Sequence, residues 1–74
     1  MKITYDPTFD MVTITFSDDG VMATSSGNPF AHDGGCVNTG VSESGRIVRI
    51  RIHSASKMLP SGVVEEITRT STTT

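Results

Sequence analysis

This sequence predicts an all-β fold, a small antiparallel sheet of four to six strands built from hairpins, with one short helix at most. Three observations carry that expectation. Residues 46–53 alternate Val48, Ile50 and Ile52 with Arg49, Arg51 and His53, a period of two that puts the sets on opposite faces of a strand. Residues 11–16 alternate Val12, Ile14 and Phe16 with Met11, Thr13 and Thr15 in a β-branched run. Turn residues separate the periodic runs: Asp6-Pro7, Asp18-Asp19-Gly20 and Ser44-Gly45.

The elements follow in order. Ile3 and Tyr5 alternate with Lys2, Thr4 and Asp6 in a first strand that stops at Pro7, which has no N–H for a ladder. The second strand, through Phe16, meets Ser17-Asp18-Asp19-Gly20. Asp-Gly tolerates the positive φ angles of a hairpin turn, so the chain is expected to return along the second strand through residues 21–25. Residues 26–35 have no period and hold Asn28-Pro29 and Gly34-Gly35, so they read as a long loop with Phe30 tucked back onto the sheet. Val37, Thr39 and Val41 make a weaker strand, and Ser42-Glu43-Ser44-Gly45 turns it into the strong strand at 46–53. Ser54 is placed to cap a helical turn through Leu59, stopped by Pro60. Val63-Val64-Glu65-Glu66-Ile67 reads as a short edge strand, and residues 68–74, rich in Thr, read as a tail with nothing apolar to bury.

With 74 residues this is one domain, residues 1–67, followed by the tail at 68–74. A chain this short buries roughly 60% of its unfolded surface. Its core is expected to gather Val12, Ile14, Phe16, Val48, Ile50 and Ile52, and so thin a core predicts a homo-oligomer formed by pairing exposed edges. The one cysteine, Cys36, has no second to bridge with, whereas small secreted domains usually carry several disulfides. Polar residues interrupt the N-terminus at once, unlike a signal peptide, and no apolar run approaches the ~20 residues of a membrane span. A soluble cytoplasmic protein with no membrane contact is expected.

Two segments resemble the small bacterial and phage family called domain of unknown function 2283. Tyr5-Asp6-Pro7 with Asp10 and the strand to Phe16 looks like that family's opening; Gly45-Arg46-Ile47-Val48, Ile50, Ile52 and Ala55-Ser56-Lys57 look like its close. The resemblance implies a small antiparallel β protein without an established activity. Because family members often lie beside small toxin-like proteins, it also implies an antitoxin-like or inhibitory role, in a host cytoplasm where the chain is phage-encoded. The chain departs from the family at Arg49 and Arg51, where Gly and Glu are usual, at Gly40, where an acid is usual, and at His53, which replaces an apolar residue. These departures turn a neutral or acidic face basic.

That basic stripe is the strongest functional signal. Arg46, Arg49, Arg51 and Lys57 are four of the six basic residues and fall in a stretch without an acid; with His53 they are the expected partner-binding residues. The alternative is a solvated sheet face whose arginines pair across strands with Glu43, Glu65 or Glu66. Nucleic acid fits poorly, because the net charge is −2 and no aromatic interleaves the arginines. Arginine's planar fork suits a protein surface of opposite charge.

Other chemistry is weaker. His32, Asp33, Cys36 and His53 supply one closely spaced ligand couple, where zinc sites pair two, so no metal is expected. Nothing in the sequence fixes His32 or His53 as a base for Cys36, which reads as a packed thiol. Asp6 and Asp10 read as turn residues with local hydrogen bonds, and Gly34-Gly35 lacks the rest of a phosphate loop. No cofactor is expected. The sequence therefore predicts a non-enzymatic, protein-binding β protein, regulatory, antitoxin-like or phage-encoded, that uses its basic strand face. The alternative is a small structural or assembly subunit, such as a virion component, that uses edge strands and the tail.

Overall fold

The computed structural model describes residues 1–27 and 35–70. Five strands and two helices follow one another: β1 (Lys2–Asp6), β2 (Met11–Thr15), β3 (Ala23–Gly27), β4 (Cys36–Val41), β5 (Ile47–His53), α1 (Ala55–Met58) and α2 (Val63–Thr70). The strands form one antiparallel sheet, as the sequence predicts, in the order β1-β2-β5-β4-β3, and among the described residues both helices follow His53. The long connection from β2 to the far edge, followed by a meander back, is a Greek key.

One expected pairing is corrected. The chain after Gly20 does not fold back along β2; β3 forms the opposite edge, beside β4. Gly45 and Gly62 are the described glycines at positive φ, so Gly20 makes no primed hairpin turn. The second edge of β2 goes to β5, which sets Ile50 against Ile14 and Ile52 against Val12. Ala-Thr-Ser-Ser-Gly could offer no such apolar row. The turn before β5 does form where Ser42-Glu43-Ser44-Gly45 predicts it. Ser42 N–H donates to the Arg46 carbonyl at 2.9 Å, Gly45 N–H donates to the Ser42 carbonyl at 2.9 Å, and Gly45 takes φ 85°.

The core is smaller than the alternation suggests. Val12 and Val48 are 1% and 2% exposed and Ala55 is fully buried, whereas Ile14, Ile50 and Ile52 are only half-buried. Phe16, expected inside, is 46% exposed. It lies past the end of β2, where its N–H still reaches the Val48 carbonyl at 2.9 Å.

The expected edge strand at 63–67 is a helix. Val63, Val64 and Ile67 fall on one helical stripe, and they are the half-buried residues of α2, which packs beside β1. Glu65 and Glu66 in the first turn and Arg69 in the last oppose the helix dipole, and Glu66 pairs with Arg69. The Thr68 and Thr70 hydroxyls donate to the Val64 and Glu66 carbonyls at 2.9 Å each, carrying the helix through three residues expected to fray. Residues 71–74 of the expected tail, and residues 28–34 of the expected loop with Phe30, lie outside the described residues.

Asp10 joins the two ends of the chain. Its Oδ1 accepts from the Tyr5 hydroxyl at 2.7 Å and from Ser56 N–H at 3.1 Å, while Oδ2 accepts from the Ser56 hydroxyl at 2.6 Å. Its carbonyl accepts from Ala55 N–H at 2.8 Å. Asp10 thus caps α1 from across the fold. Ser54 occupies the N-cap position in the left-handed region, φ 55°, and its side chain makes no capping bond. Asp6 holds a local turn, accepting from Thr8 N–H at 2.9 Å, and Asp10 closes that turn at φ 51° while also reaching Ser56, 46 residues away. The bonds from Ser56 and Tyr5 hold the Asp10 carboxyl below the usual carboxylate range. In return, donating to that carboxylate raises the Tyr5 hydroxyl above its ordinary value.

Candidate binding surface

β5 is the middle strand of five, so its polar side chains stand in the centre of one sheet face. Arg49 lies between Thr15 of β2 and Gly40 of β4, Arg51 between Thr13 and Asn38, and His53 between Met11 and Cys36. Residues directly opposite in an antiparallel ladder share a face. The result is a cationic row walled by threonines and an asparagine, with Thr24 and Ser26 of β3 farther out on the same side. Successive members of the row stand about 6–7 Å apart along a strand that rises ~3.3 Å per residue.

Among the described residues, no acid stands opposite the row. The pairing of Arg49 and Arg51 with Glu43, Glu65 or Glu66 does not occur: Glu66 is taken by Arg69, Glu65 lies by Tyr5, and Glu43 sits in the β4–β5 turn. Both arginines are half-buried, and the Nε atom of each is shut off from solvent without a hydrogen-bond partner. The close wall is Gly40. A Cβ there would meet the Val21 methyls at 3.1 and 3.3 Å and the Arg49 Cβ at 3.6 Å, so the β2–β3 connection lies directly over β4 beside Arg49.

The other predicted binding residues flank the row. Arg46 is exposed in the turn that leads into β5, one residue before the strand. Lys57 is exposed on α1, beyond the opposite end, where its charge helps to lower the Asp10 carboxyl. The walls at Thr13, Thr15, Asn38 and Gly40 were not legible in the sequence, because they depend on which strands flank β5 and in what register.

Cys36 is a free, half-buried thiol opposite His53. His32 and Asp33 lie outside the described residues, and among those described no group of three His, Cys, Asp or Glu side chains could hold a metal ion. No described helix is long and apolar enough to cross a membrane. The chain matches no protein family, no curated protein and no solved structure with which it was compared.

Proposed function

We propose that this chain is a small non-enzymatic binding protein that docks an acidic protein surface on the row Arg49, Arg51 and His53. It acts in the cytoplasm, in the regulatory, antitoxin-like or inhibitory role that the resemblance to domain of unknown function 2283 suggests. One observation supports it above the others: at the centre of a sheet face the Nε donors of two arginines are desolvated and, among the described residues, have no hydrogen-bond partner. Leaving such a donor unmade costs stability, and a partner that draws the guanidinium outward onto a carboxylate would satisfy Nε and a terminal nitrogen together. Arg46 extends the row at one end. Lys57 contributes less, since it already faces Asp10.

A rigid row on the central strand meets such a partner without ordering a loop first. Half-buried charges of this kind govern dissociation, while the rim charge of Arg46 governs the association rate. The test is charge reversal. Arg49→Glu with Arg51→Glu should bind the protein captured by the wild-type chain at least about tenfold more weakly, with unchanged circular dichroism. A folded double variant that binds as before removes the row from the interface.

A second reading, a structural or assembly subunit, draws support from β3, an edge strand exposed along its whole length.

A further inference from the structure

We propose that β3 is a self-pairing edge, which joins two copies of this chain by antiparallel β3–β3 contact into one continuous ten-stranded sheet. The two edges of the sheet differ. β1 is guarded: it carries Lys2 and Asp6, Pro7 follows it, and α2 packs beside it. β3, Ala-Thr-Ser-Ser-Gly, has no charge and no proline, its pairing with β4 runs without a bulge, and all five residues are exposed. Such an edge is a ready template for another strand, and soluble proteins ordinarily blunt it with one of the devices missing here.

The occupant that fits is a second copy. Neither β3 nor β4 contains a charged residue, so two copies meet without repulsion within two strands of the joint, although each carries −2. The strand is also complementary to itself. A two-fold axis at Ser25 sets Thr24 of one copy opposite Ser26 of the other, twice. Ser26 Oγ already accepts from Asn38 Nδ2 at 2.7 Å, which leaves its hydroxyl hydrogen to donate to the facing threonine. With Val12, Val48 and Ala55 as the fully buried apolar side chains among the described residues, the monomer also has much to gain from a further ladder.

The axis stands perpendicular to the sheet, so the basic faces of both copies lie on the same side. Their β5 strands are then five strand spacings apart, about 24 Å at ~4.8 Å each. A partner with acidic groups repeated at that interval binds both rows at once and gains the effective concentration of a linked pair. This consequence rests on the docking reading above; the pairing of β3 does not.

Sedimentation equilibrium of the full chain, from micromolar to millimolar concentration, should give twice 7.9 kDa. Ser25→Lys sets two ammonium groups face to face at the axis and should yield a monomer with unchanged circular dichroism. Ser25→Cys in a Cys36→Ser background should oxidise to a disulfide-linked dimer, whereas Lys2→Cys on β1 in that background should not. A wild-type chain that stays monomeric throughout overturns the proposal, as does a Ser25→Lys chain that dimerises as tightly as wild type. Should Ser25→Lys fail to fold, the cysteine pair decides alone, and equal cross-linking at both edges counts against β3. The Arg49→Glu, Arg51→Glu chain should remain dimeric, so failure of the dimer and failure of the docking reading are read separately.

Discussion

Replacing Val48 with alanine locates the core. Val48 stands at the irregularity of the central strand, where Gly40 pairs with Arg49 but Val41 pairs with Ile47, and it is 2% exposed. The substitution removes two buried carbon groups, about 1.6 kcal/mol of transfer free energy at about 0.8 kcal/mol each. β2 and β4 hold β5 from both sides, so the site collapses poorly and the void adds on the order of 1 kcal/mol. The expected loss is about 2–3 kcal/mol, against a total near 4–11 kcal/mol for a chain of this length. Ile50→Ala removes three carbon groups, but from a half-buried side chain whose void water can enter, and should lose only about 1–2 kcal/mol. Urea unfolding followed by far-ultraviolet circular dichroism measures both, as a lower midpoint at unchanged slope. The larger side chain should thus be the cheaper one to remove. A Val48→Ala loss below about 0.5 kcal/mol, or a larger loss at Ile50, refutes this placement of the core.

Tyr5 is the one tyrosine, so absorbance follows its ionisation alone, and the midpoint should lie above the ordinary ~10 because the hydroxyl donates to the Asp10 carboxylate. Asp10→Ala should bring it back; an unmoved midpoint breaks the link. The same pair shapes stability against pH. Asp10, with its folded pKa lowered, contributes above the unfolded carboxylate value and loses that contribution as pH falls through the folded one; Tyr5, with its folded pKa raised, contributes below the unfolded tyrosine value and loses it as pH rises through the folded one. Urea midpoints should therefore fall at both ends, and Asp10→Ala should flatten both falls. Among the turns, Gly45→Ala should cost about 1 kcal/mol or more, since Gly45 sits at φ 85°, while Gly20→Ala, in open space and not at positive φ, should be neutral or slightly stabilising. Equal urea midpoints for the two variants would show that the backbone at Gly45 is not left-handed.

The parts of the fold that could be read in advance are those that sequence neighbours determine. Val48, Ile50 and Ile52 announce a strand with one apolar face, and Ser42-Glu43-Ser44-Gly45 announces the turn before it, because both depend on residues a few positions apart. β3 lies at the far edge rather than beside β2, where the Asp-Gly signal puts it, because its position depends on a competition for the edge of β2, which β5 wins with isoleucines far along the chain. α2 had a readable signal, Val63, Val64 and Ile67 on one helical stripe with Glu66 three residues before Arg69, but the valines' β preference masked it. Asp10 is legible as a turn residue, whereas its partners Ser56 and Ala55, at the other end of the chain, are not. In the binding row, the order of the cations was legible while the absence of an opposing carboxylate was not, since only the register puts Thr13, Thr15, Asn38 and Gly40 beside them.

The Greek-key order also decides how this chain reaches its native state. β3, β4 and β5 are neighbours in sequence as well as in the sheet, so they can pair without waiting for a distant part of the chain. β2 must wait for β5, with Met11 closing against His53 across most of the chain, and the entropy of that long closure is lost before any contact repays it. Until then the β1–β2 hairpin holds Ile3, Tyr5, Val12 and Ile14 on one face with its inner edge open. On a ribosome this interval lasts until β5 has been made and has cleared the exit tunnel. A nascent chain whose first two strands have emerged but whose central strand has yet to arrive therefore leaves that apolar row without its partner.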